Sequence, residues 1–167
     1  MRRFYMILVF ITSAGFARQD YKDWVQEQNI PRRVSRIFSM KRLDQTYEFS
    51  FSINPFYLRG DFNGDAKFDI AVLIKEKYSQ KSGIAIFHAG SDEVFLLGAG
   101  KKIGAGGDNF DWLGKWMVYE EITVSQGVEE TPPPTLLGEA VWVEKPESAG
   151  ALIYWDGETY QWYQQGD

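Results

Sequence analysis

The strongest constraint on this chain lies between residues 57 and 75, where YLRGDFNGDAKFDIAVLIK sets an acidic loop between two apolar flanks. Asp61, Asn63, Asp65 and Asp69 stand at positions 1, 3, 5 and 9 of that loop, with Gly64 among them. Short oxygen-bearing side chains at alternate residues point inward when a backbone curls around a small hard cation. Position 7 is Lys67, which offers only its main-chain carbonyl. A calcium ion takes about 6–8 oxygens of this kind, carbonyls and waters included. The same residue types also build ion-free turns, because Asn, Asp and Gly tolerate left-handed geometry and Asx side chains bond their own backbone. A turn needs only one or two of them, and the three acids repel one another unless something neutralises them. The expected ligands are therefore Asp61, Asn63, Asp65, the carbonyl of Lys67, and Asp69, and the expected ion is a structural Ca2+.

The flanks decide which kind of calcium loop this is. An EF-hand has a helix on each side and a bidentate Glu at about position 12. Position 12 here is Val72. The exit, Phe68-Asp69-Ile70-Ala71-Val72-Leu73-Ile74, is an apolar run rich in β-branched residues and reads as a buried strand. The entry, Phe56-Tyr57-Leu58, is also strand-like. The unit is strand, ion loop, strand. From Arg59 to Val72 the sequence RGDFNGDAKFDIAV resembles the calcium loop of FG-GAP/VCBS repeats. That resemblance implies a loop between antiparallel strands, with the ligands on the five positions just given. The motif occurs once, whereas a propeller needs several blades, so a full propeller is not expected.

For 167 residues one domain is the natural count, and 44% hydrophobic residues supply a core. A formal net charge of −5 and the lack of a basic stripe argue against a nucleic-acid partner. There is no cysteine, so disulfides and thiolate metal sites are excluded.

Residues 1–17 read as a signal peptide. Arg2 and Arg3 form its basic start, an apolar run opens at Met6, and Gly15 and Ala17 suit the −3 and −1 positions of a cleavage site. No Cys follows to carry a lipid, so no membrane anchor is expected after cleavage. The expected location is secreted or periplasmic, where calcium is available to fill a weak site.

Residues 18–42 form the helical segment of the reading. Tyr21, Trp24 and Val25 recur at helical spacing, Asp20 suits an N-terminus, and Pro31 divides this helix from a second piece with Val34, Ile37 and Phe38 as its apolar side. The cluster Arg32, Arg33, Arg36, Lys41 and Arg42 reads as a solvated face offsetting an acidic body. Residues 43–167 form a single β-rich domain, with the ion loop at 61–69.

Within that domain, alternation of Tyr47, Phe49, Phe51 and Ile53 predicts a half-buried strand over 43–53, and Asn54-Pro55 breaks it. Residues 68–97 read as a three-stranded meander. One further strand is expected from 116–119 and, across Glu120 and Glu121, 122–124, and another at 140–144. Trp112 and Trp116 would share a helix face if that stretch is helical. Asp156-Gly157 predicts a two-residue hairpin turn, which puts Ile153, Trp155, Tyr160 and Trp162 on one face and Tyr154 and Tyr163 on the other. The fold class expected is mainly β: an antiparallel sheet or sandwich of roughly seven strands behind a short helical region.

His88, the sole histidine, has no sequence partner for catalysis or metal binding. The glycine-rich stretch 98–114 carries Asp108 and Asp111 and lacks the spacing of a phosphate-binding loop. The function expected is a calcium-binding β module that engages a protein or a glycan. Two rivals stand beside it. One is a cell-wall or polysaccharide hydrolase using Asp108, Asp111, Glu120 or Glu121; the other is an assembly subunit without catalysis.

Overall fold

The computed structural model describes residues 14–128, 130–148 and 150–166. The apolar runs that read as buried strands form the middle of the molecule. In β3 (Asp69–Glu76) and β4 (Ser82–Phe87), both faces are covered. Ala71, Leu73, Ile84 and Ile86 point one way, and Val72, Ile74, Ala85 and Phe87 the other. A strand buried on both sides needs a continuous apolar run rather than alternation.

Around this pair lies a five-stranded antiparallel sheet. β5 (Val94–Gly98) pairs with β4. On the far edge of β3, two short strands follow one another: β1 (Tyr47–Phe49) opposite residues 74–76, and β2 (Tyr57–Gly60) opposite residues 69–72. A second sheet is a four-stranded meander of β6 (Lys115–Tyr119), β7 (Ala140–Glu144), β8 (Gly150–Trp155) and β9 (Tyr160–Gln164). The protein is thus mainly β, two antiparallel sheets behind two short helices, with no closed barrel or propeller.

The layers follow from which side chains each face offers. Between the sheets lie Leu58, Phe62, Trp116, Val141, Val143, Ile153 and Tyr160. The other face of the first sheet is covered by α2 (Arg32–Met40), whose Val34, Ile37 and Phe38 sit one above another and are buried. Burying each such side chain contributes about 1.5–3 kcal/mol. The outer face of the second sheet, with Leu152 and Tyr163, is covered by Val124 and Leu136 from the long connection before β7.

Several local expectations need correction. The helix before Pro31, α1 (Ala14–Asn29), begins earlier than Asp20, so Asp20 lies inside it and caps nothing. Tyr21 and Trp24 stack on each other and stay exposed. Pro31 caps α2, accepting N–H bonds from Val34 and Ser35. Most of the predicted signal peptide lies outside the described residues. The strand expected over 43–53 shrinks to β1, because residues 43–45 wind into a 3-10 turn after Arg42 takes a left-handed φ of 56°. Phe51 still joins the helix-facing core and Ile53 the inter-sheet core. No helix forms at Trp112 and Trp116; Trp116 belongs to β6. No strand forms at 122–124.

The last hairpin keeps its faces but shifts its turn. Trp155 pairs with Tyr160, and Asp156 N–H donates to the Thr159 carbonyl, so the tip is Gly157–Glu158. The Asp156 carboxylate sets this register by accepting N–H bonds from Glu158 and Thr159. A two-residue shift preserves which side chains share a face. Tyr160 and Ile153 are therefore buried between the sheets, with Trp155 and Trp162 packed half-buried beside them, while Tyr154 and Tyr163 lie on the outer face.

Candidate metal centre

Antiparallel pairing of β2 with β3, in the register Gly60 opposite Asp69, holds the two ends of the acidic loop side by side. Inside it the chain curls around one carboxylate. Asp61 Oδ1 accepts the N–H groups of Gly64 at 2.8 Å and Asp65 at 3.0 Å, and its Oδ2 accepts that of Ala66 at 2.9 Å. Gly64 and Ala66 take positive φ values of 78° and 63° to make this curl. Ala66 occupies the place where an EF-hand loop has its turn glycine.

The next two ligand positions continue along the exposed side. Asn63 Oδ1 accepts the Asp65 N–H at 3.1 Å. Asp65 accepts the Lys67 N–H at 2.9 Å and meets the Lys67 ammonium at 3.0 Å. The Lys67 contact holds the Asp65 carboxyl below its ordinary pKa. Asp69 is different, because it is fully buried. Its two oxygens accept N–H bonds from Phe62 at 3.1 Å and Ala89 at 2.6 Å. Burial pushes its pKa up, while those bonds and the nearby His88 oppose the rise.

Among the described residues, no three His, Cys, Asp or Glu side chains gather closely enough to hold a metal ion. The donor chemistry nevertheless suits a hard cation. Every group at positions 1, 3, 5 and 9 is an oxygen donor, and each carboxylate keeps lone pairs beyond those already used. Asp61 sits inside a curl that its own hydrogen bonds maintain. Filling the loop would require Asp65 to exchange Lys67 for the ion.

The loop is also clasped by the second sheet. The Glu139 N–H donates to the Asp61 carbonyl at 2.7 Å, and the Asp61 N–H donates to Glu139 Oε2 at 2.6 Å. The approach is so close that a Cβ on Gly138 would lie 2.2 Å from the Asp61 carbonyl oxygen. One on Gly64 would lie 2.3 Å from that of Leu137. A cavity of about 470 Å³ beside this clasp is lined by Asp61, Phe68, Glu120, Glu121, Leu137 and Glu139. Sequence reasoning missed Glu139, which stands 78 residues from Asp61 with no motif joining them.

It missed His88 as well. His88 follows β4, is buried, and reaches Asn63 with Nδ1 at 3.3 Å and the Tyr160 hydroxyl with Nε2 at 2.8 Å. Its ring packs on Phe95 and Trp155. Burial pulls the imidazole below its ordinary pKa, against the Asp69 charge, and burial likewise raises the phenol of Tyr160. Arg33, from the basic cluster of α2, donates to the carbonyls of His88 and Ser91 and so pins the turn that carries His88. Arg33 is thus bonded within the fold rather than part of a wholly solvated face.

The glycine-rich stretch is built into the fold. Gly104 and Gly106 lie against Trp162, where a Cβ would come within 2.4 and 2.5 Å of the Trp162 side chain. Asp108 pairs with Lys81, Asp111 accepts the Ser82 hydroxyl, and Asn109 accepts the Ser82 N–H at 2.9 Å. The Lys81 bond holds the Asp108 carboxyl low, and the Ser82 bond does the same for Asp111. Asp111 lines a groove with Ser50, Asn54 and Lys75, whereas Glu120 and Glu121 line the cavity beside the clasp. The four acids considered for hydrolysis thus do not converge on one cleft. No family model, curated protein or solved structure matches the chain.

Proposed function

We propose that this chain is an exported calcium-binding β module whose ion is structural and whose partner is a protein or a glycan. The ion would be held by Asp61, Asn63, Asp65, the Lys67 carbonyl and Asp69. The observation that carries this reading is the curl of the β2–β3 loop around Asp61, with oxygen donors at alternate positions. The Glu139 clasp supports a structural role, since an ion there would fix the contact between the two sheets. The hydrolase reading loses support because Asp108 and Asp111, both held low, suit only the ionised member of a catalytic pair, while Glu120 and Glu121 line a different cavity from Asp111.

A ligand that binds only the folded state stabilises it by about 2.7 kcal/mol at a concentration 100 times its Kd. For a chain of this size that raises Tm by roughly 5–10 °C. The test is a melt of the chelator-stripped chain with and without calcium, beside Asp65→Ala. A calcium-dependent rise that the variant lacks supports the proposal. Equal melting in all four samples favours a second reading, an ion-free hairpin in a non-catalytic assembly subunit, for which the Lys67–Asp65 pair is the supporting observation.

A further inference from the structure

A side-chain amide has an oxygen face and an amine face, and only the oxygen can ligate a cation. Asn63 stands at position 3 of the loop, so its usefulness there depends on which way its amide is turned. The hydrogen bonds fix that orientation. The Asp65 N–H is a donor, so the atom it meets on Asn63 at 3.1 Å is the oxygen. The amine then faces His88 Nδ1 at 3.3 Å and donates to it. Because Nδ1 accepts, the ring proton sits on Nε2, and Nε2–H donates to the Tyr160 hydroxyl at 2.8 Å. Orientation therefore passes from Tyr160 on β9, through one histidine tautomer, to Asn63 in the loop.

His88 itself has little freedom. Its carbonyl accepts a bond from Arg33, and its N–H donates to the Glu93 carbonyl at 3.3 Å. Its ring is enclosed by Phe95, Trp155 and Tyr160. The neighbouring Ala89 N–H meets the Asp69 carboxylate at 2.6 Å, so the same turn also holds the donor at position 9. We infer that His88 is a positioning residue for the ion loop, keeping the Asn63 oxygen turned toward the loop and its amine turned away. This inference rests on the calcium reading above. It assigns a task to a buried histidine at loop positions that no local spacing connects to it. Partners of metal ligands typically change affinity by about 10–100-fold when removed.

The test uses the full chain, calcium chloride and three variants: His88→Ala, His88→Asn and Tyr160→Phe. Calorimetry gives calcium affinity, and nitrogen NMR of the sole histidine gives its tautomer. The expected results are a bare Nδ1 with a protonated Nε2 in the parent chain, and about 10–100-fold weaker calcium binding in His88→Ala. His88→Asn, whose amide oxygen replaces the Nδ1 acceptor, should recover most of that loss. Tyr160→Phe keeps the ring but frees Nε2, so both tautomers should appear and affinity should fall by a smaller factor. A merely structural histidine would not give this rescue or this tautomer dependence. A protonated Nδ1 in the parent chain overturns the inference, as does calcium binding of equal strength in the parent, His88→Ala and Tyr160→Phe. In the equal-binding case the calcium reading survives alone. No calcium binding by the parent chain overturns both. If His88→Ala does not fold, Tyr160→Phe and the tautomer measurement decide the matter.

Discussion

Tyr160 Oη and His88 Nε2 lie 2.8 Å apart and join the two sheets by a buried polar contact beside the apolar core between them. Tyr160 comes from β9 and His88 from the end of β4, 72 residues earlier. A buried donor that loses its acceptor costs the full desolvation of that group, about 1–3 kcal/mol. Tyr160→Phe should therefore lower unfolding free energy by about that amount while leaving the chain folded. Urea denaturation checks this, and an unchanged midpoint would show that the hydroxyl contributes nothing there.

Ala66 tests the shape of the acidic loop without touching a ligand. A residue with a Cβ in the left-handed region costs about 1–2 kcal/mol, and glycine avoids that cost while losing about 0.5–1 kcal/mol of its own in chain entropy. Given a φ of 63° at this position, Ala66→Gly should stabilise slightly and Ala66→Val should destabilise clearly. Thermal melts of the pair give the ordering, and Val melting above Gly would rule out the left-handed curl.

Gly138 tests the clasp between the loop and the second sheet. An added Cβ would meet the backbone of Asp61 and Gly64 rather than a flexible side chain. Gly138→Ala must push the acidic loop away from the segment that leads into β7, and we expect a loss of about 2 kcal/mol or more. Amide hydrogen exchange at Asp61 and Glu139 should speed up in the variant. Unchanged exchange at both would mean that the clasp is not present in solution.

Asp156 supplies a pH dependence away from the ion loop. Bonds from the Thr159 and Glu158 N–H groups, then from Gln161, hold its carboxyl below the unfolded value of 3.8. A lowered folded pKa means that the unfolded chain takes up the proton first. Its stabilising effect is thus complete above pH 3.8 and disappears as pH falls through the lower folded value. Asp156→Ala should melt below the parent at pH 7, and the gap should close toward strongly acidic pH. A gap that is constant with pH would show that the charge is not involved.

How much of this was legible in the sequence depends on the range of each interaction. The β2–loop–β3 unit was, because alternating oxygen donors and an apolar exit run are local signals. So were the faces of the last hairpin, since a period of two survives a shifted turn. The turn itself was misplaced because the Asp156 side chain competes for the N–H groups of Glu158 and Thr159. Tyr21 and Trp24 show the limit of periodicity: their spacing makes a face, but nothing local says whether that face is covered. Glu139 and His88 were invisible as parts of the site. Each reaches it through sheet packing over 78 and 25 residues, a distance at which no spacing rule operates.

The most direct measurement is calorimetric titration of calcium into the chelator-stripped chain and into Asp65→Ala. One ion per chain is expected, with saturable heat that the variant lacks. No heat in the parent chain, or the same heat in both, would contradict a calcium site at this loop and leave the β2–β3 turn held by its own hydrogen bonds alone.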